Sequence, residues 1–192
     1  ELGHTQDAAD FTALAASFRE TLRLSILAVI AAKNLHYVPG SVEWADFDPT
    51  ATSNAVTLLQ GMADLPAEQL DEMFAHFVRD FRRKHSGEMP WNNYTAYEIR
   101  IIGALVRLGR RLDALEVAAF MLSDRRIPPW NQWPEITWRD QRSPGFIGDL
   151  PHTWISAEYI LAVCSMLAYE RASDRSMVLA AGMSLSLLHI PE

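Results

Sequence analysis

Only one of the 192 residues is a cysteine, Cys164, which excludes an internal disulfide framework and any cysteine-rich metal site. Basic runs are as scarce, the longest being Arg82-Arg83-Lys84, and the formal charge is -7. That balance argues against a nucleic-acid partner. No long hydrophobic run is present: the apolar stretch 26–32 is too short to span a bilayer, so no membrane is expected. The histidines show no paired i, i+4 spacing, and neither a phosphate-cradling glycine loop nor a G-x-S-x-G elbow occurs. Metals and cofactors are therefore not expected. No signal-peptide pattern and no methionine opens the chain. A start at Glu1 points to a processed chain or a piece of a longer protein. The lack of disulfides is compatible with the cytoplasm, but no location is assigned.

What the chain does have is an unusual stretch at residues 127–154, IPPWNQWPEITWRDQRSPGFIGDLPHTW. Trp130, Trp133, Trp138 and Trp154 lie here, with Glu135, Asp140 and Asp149. A connection of this length without a period is either functional or disordered. Its tryptophan content argues for order. The stretch is expected to be a wall of a binding site.

The rest reads as helices. With 49% hydrophobic residues, 1–192 suits a single domain with a sizeable core, with helical hairpins to 175 and a tail at 176–192. Leu14, Phe18, Leu22, Ile26 and Val29 recur at helical spacing and predict a first helix over 9–34. Asp48 reads as an N-cap and Pro49 as the first helical position of a short helix through Met62. A third helix to about His85 carries the stripe Leu70, Met73, Phe74, Phe77, Val78 and Phe81. Thr95 and Glu98 form a capping-box spacing before IRIIGALVRL, which Gly109 ends. Residues 111–126 form the next helix, and Pro151 and His152 open one running to about Ala172. VLAAGMSLSLL closes the chain as a strand or short helix.

Long and short connections alternate along this series. In antiparallel helices alternate connections share an end, so the three long loops should lie on one face. Trp44 falls in the first long loop, Trp91 in the second, and Trp130, Trp133 and Trp138 in the third, with Trp154 on the turn leaving it. Aromatics on loops held by a rigid scaffold form a binding-face pattern. The competing reading is that they plug the open end of the bundle. Helices after the long loops are the more apolar ones, which predicts an inner layer whose N-termini aim at the loop face.

YVPGSVEWADFDPTATS, YTAYEIRIIGALVRLGRRLDAL, PPWNQWPEITWRD and FIGDLPHTWISAEYILAVCSMLAYE resemble the C-terminal half of bacterial six-hairpin glycosidase-like proteins. WNQWPE and GDLPHTW carry most of this resemblance, which covers about residues 35–188. Longer members often carry a coagulation-factor-5/8-type (discoidin) sugar-binding module. The resemblance implies an all-α fold of antiparallel helical hairpins, half of an (α/α)6 toroid, with a short C-terminal strand or helix. It also implies an active site in the long loops, and the remaining half of the toroid as a partner in a longer chain.

Glycoside hydrolysis commonly uses two carboxyl groups flanking the scissile bond. Glu135 is the first catalytic candidate, since Trp133 and Trp138 would desolvate it. The resemblance makes it a base whose acid partner lies in the missing half. Glu43, beside Trp44, is the second; for both, the alternative is a surface acid or a loop hydrogen-bond acceptor. Asp48 is expected to be an N-cap and Asp46 a turn residue. Asp149 and His152 form either a proton-transfer pair or a capping network. Arg139 either grips a substrate or pins the loop through Asp140. With the six tryptophans these residues make up the expected carbohydrate site. The expected function is therefore glycoside processing, with a noncatalytic sugar-binding module or a protein-interaction scaffold as alternatives. Half a ring would also expose apolar surface within 22–30 and 155–166, so self-association is expected.

Overall fold

The computed structural model describes residues 3–126 and 128–184. Helix α1, Thr5–Lys33, ends where Asn34 adopts a left-handed conformation and its N–H reaches the carbonyls of Ile30 and Ala31. Helix α2, Pro49–Thr57, starts as the sequence predicts: the Asp48 carboxylate accepts from the Ala51 N–H at 2.9 Å. It stops short of Met62, which lies in a separate 3₁₀ turn, Gly61–Asp64. Helix α3, Ala67–Ser86, buries the predicted stripe from Leu70 to Phe81 and keeps its charges outside.

Next comes a short strand, β1 (Asn93–Thr95), then a 3₁₀ turn, Ala96–Ile99, in which the Tyr97 N–H donates to the Thr95 hydroxyl. Helix α4, Arg100–Arg107, follows directly, and Gly109 (φ +75°) turns the chain into α5, Arg111–Ser123. The long segment after α5 contains β2, Ile136–Trp138. Helix α6, Thr153–Leu167, gives way to a hairpin of β3 (Ala168–Arg171) and β4 (Ser176–Leu179).

Ile101 to Val106 of α4 are all buried, because α4 packs against α2, α5 and α6. Gly103 marks the closest approach: a Cβ there would meet Thr57 of α2 at 3.1 Å and Ser165 of α6 at 3.2 Å. The ends also match. Arg100 pairs with Glu158 near the start of α6, and Arg107 bonds Ser165 near its end. The inner helices α4 and α6 therefore run parallel, and Thr57 puts the C-terminus of α2 at the same level. Their N-termini share one end, where the long connections enter. Outside them, α3 and α5 are tied by Arg82 to Asp113 and Glu116, by Arg110 to Asp71, and by Phe81 against Phe120.

The expected all-α half-toroid needs correcting. The structure is 58% helical, and its described residues form six α-helices and two small antiparallel sheets, so the fold is mixed α/β rather than all-α, and these residues show no toroid. Strand β1 pairs with β2, with Tyr94 opposite Thr137, and β3 pairs with β4, with Tyr169 opposite Val178. The predicted helix to Ala172 ends five residues early because Asp174 organises a turn. Its carboxylate accepts from the Ser176 N–H and is forked by Arg171. Of the predicted closing element, 178–188, only Val178 and Leu179 lie in β4; 180–184 form no strand or helix, and the rest lies outside the described residues.

Candidate functional site on the long-loop end

The β1–β2 pairing joins the second and third long loops into one surface, reinforced by Ala96 N–H to Glu135 O (3.1 Å) and Arg139 N–H to Asn92 O (2.9 Å). Behind it stands a polar knot. The Asp124 Oδ2 accepts from the Tyr94 hydroxyl (2.8 Å), Arg126 (3.1 Å) and Arg139 (2.7 Å), so the end of α5, β1 and the long loop are fastened at one atom. Burial and the Asp124 charge push the Tyr94 phenol far above its ordinary value. Arg139 thus pins the loop, as one reading of the sequence had it, but through Asp124 rather than Asp140. Its guanidinium also lies over the Trp91 ring.

The tryptophans divide into two groups. Trp133 is 2% exposed; its indole N–H donates to Met121 O at 2.9 Å and its ring packs on Tyr159. Trp138 donates to Phe146 O and covers Gly145, where a Cβ would fall 2.2 Å from the ring. Trp91 stacks on Phe120 at 5.0 Å. These three hold the loops together, so the plug reading describes them. Trp44, Trp130 and Trp154 are exposed instead.

Trp154 stands beside titratable groups. Its ring meets Tyr97 edge-on at 6.1 Å. The Tyr97 hydroxyl is 2.9 Å from His152 Nε2, and His152 Nδ1 lies 3.9 Å from the exposed Asp149 carboxylate. Arg100 covers the Tyr97 ring at 4.8 Å and forms a buried ion pair with Glu158 at 2.6 Å. Glu135 completes the group: its side chain rests against Gly148 (φ +68°), where a Cβ would come within 2.4 Å of Glu135 Oε2. Burial raises the Tyr97 phenol above its ordinary value, and the charges of Glu135, Glu158 and Asp149 add to this while Arg100 opposes it.

Glu135, Asp149, His152 and Trp154 are thus brought together. Glu43 and Trp44 are not: they stay on the first loop, where Lys33 reaches the Glu43 carbonyl and Ser41 accepts from the Glu43 N–H. Asp46 accepts from the Ser41 N–H, a turn role. Trp133 serves the core, and Trp138 holds the loop through Phe146. Sequence reasoning missed Tyr97, Arg100 and Glu158. A single acid inside WISAEYILAVCSML and a single arginine entering IRIIGALV were the available signals, because a lone charge in an apolar helix needs a partner.

Chemically, the site offers an exposed indole, a Tyr–His hydrogen bond able to pass a proton, and two carboxylates, Glu135 and Asp149, that among the described residues are bonded to no arginine or lysine. Among the described residues no three His, Cys, Asp or Glu side chains gather as a metal site would need, and no helix is long and apolar enough to cross a membrane. No family model, no curated protein and no solved structure matches this chain.

Proposed function

We propose that the long-loop end is a carbohydrate site and that the chain acts in glycoside processing, in line with its sequence resemblance to six-hairpin glycosidase-like proteins. The observation that carries this reading is the exposed Trp154 ring beside Tyr97, His152, Asp149 and Glu135. An indole face suits a sugar ring, and polar groups at its rim suit the hydroxyls. The reading rests on this site and requires no ring of hairpins.

Glu135 and Asp149 supply the paired carboxyls that hydrolysis would use. One donates its proton to the leaving glycosidic oxygen as the C–O bond breaks, and the other takes a proton from the water that adds at the anomeric carbon. His152 and Tyr97 position and buffer that proton.

Titration with neutral oligosaccharides, followed by tryptophan fluorescence and calorimetry, tests the site. Trp154→Ala should weaken binding by roughly tenfold or more, the scale of losing one stacked aromatic anchor. Absence of any response across a broad glycan panel would refute the sugar reading. Hydrolysis lost in Glu135→Gln with binding kept would identify a catalyst, whereas binding with no turnover in the parent chain would favour the noncatalytic sugar-binding module.

A further inference from the structure

The charge around the site narrows the class of sugar, an argument that rests on the carbohydrate reading above. Four arginines placed around the site by its contacts are already committed. Arg100 is buried against Glu158, and its Nε is enclosed without any acceptor. Arg126 and Arg139 share Asp124. Arg107 lies two turns along α4, held by Gly103 O, Ser165 Oγ and the Tyr169 ring. The acids are in the opposite condition. Among the described residues, neither Glu135 nor Asp149 is bonded to an arginine or lysine, and Asp149 has only the long contact to His152. Charged groups acting on the Tyr97 phenol are three carboxylates against one guanidinium. A ligand seated on Trp154 and Tyr97 would meet a net negative field, and none of these four guanidinium groups is free to receive an anion.

We infer that the ligand carries no acid groups: the site recognises uncharged or amine-bearing sugar chains and excludes uronate-containing and sulfated ones. Like charges brought against each other at a contact are penalised, and least so where salt screens them, so the exclusion comes from repulsion rather than shape.

Cello-oligosaccharides, chitosan oligosaccharides and oligogalacturonates of equal length, titrated into the full chain at low ionic strength, provide the test. Oligogalacturonate binding should be at least about tenfold weaker than cello-oligosaccharide binding, and the gap should shrink as salt screens the field. The double variant Glu135→Gln/Asp149→Asn should close most of that gap, and a circular dichroism melt would confirm that it folds. Oligogalacturonate binding as tight as the neutral chain, in the parent protein, overturns this inference and leaves the sugar site standing. A gap that the folded double variant does not change overturns the assignment to these two carboxylates. No binding of any of the three overturns both the inference and the sugar reading.

Discussion

Glu98 shows how one side chain can tie stability to pH. It follows Tyr97 in the 3₁₀ turn leading into α4, and burial pushes its carboxyl from the ordinary 4.5 up to about 7, with Lys84 opposing. A carboxyl whose folded value lies above its unfolded value holds its proton more tightly when folded. Its contribution is therefore largest below pH 4.5 and is lost as pH rises through about 7. Thermal melts should accordingly show Glu98→Gln raising Tm relative to the parent at pH 8 and having little effect at pH 4; equal shifts at both would reject the mechanism. Trp133 presents the opposite case, a residue assigned to the sugar site by sequence but buried by the fold. Trp133→Ala should destabilise by about 3–5 kcal/mol in a denaturant titration, as large aromatic truncations in cores do. Nothing local to WNQWPE distinguishes Trp133 from exposed Trp130. Which of them faces the core depends on Met121 and Tyr159, and so on contacts distant in sequence.

At the scale of elements, the helices were legible because each carries a long apolar stripe or a cap of its own: the buried face of α3, the Asp48 cap of α2, Gly109 between α4 and α5. The strands were not, since β1 and β2 are three residues each and offer no period to read. Their pairing depends on the Asp124 knot, which joins Tyr94, Arg126 and Arg139 from segments far apart in the chain. Removing that carboxylate strands two guanidinium groups and a buried phenol. Asp124→Ala should then cost about 3 kcal/mol, the scale for breaking a partly buried charge network. Amide exchange should report faster opening of β1 and β2 than of α4. Uniform loosening would mean that the knot is not what joins the two loops. The hairpin of β3 and β4 was legible in principle: AYER and SMVL flank ASDR, with Asp174 placed to bond the backbone two residues on. The apolar continuity of α6 into Ala168 and Tyr169 masked it.

The whole molecule leaves two apolar surfaces open. On α1 only Ile26 and Ile30 are buried, while Phe11, Leu14, Phe18 and Leu22 are exposed at spacings of three and four. On α6 the face carrying Glu158 and Ser165 packs inward, and Ile160, Leu161 and Leu167 point outward. Both follow from length and packing. At about 1.5 Å per residue, the 29-residue α1 greatly outruns the short 3₁₀ turn Gly61–Asp64 that it packs on, and the helix that α6 packs on is α4. Exposed apolar patches beyond a few hundred Å² are uncommon on stable monomers, roughly the limit seen in survey. A net charge of -7 opposes close approach of two copies, so the balance should shift with salt. We therefore expect concentration-dependent self-association, stronger at high ionic strength, measured by light scattering of the purified chain. Phe18→Glu and Leu161→Glu alter exposed side chains only, so each should keep the helical circular dichroism signal. The variant on the face that carries the association should lower the scattering mass. A mass of one chain at every concentration and salt would show that these faces tolerate water, and that their apolar character has another cause.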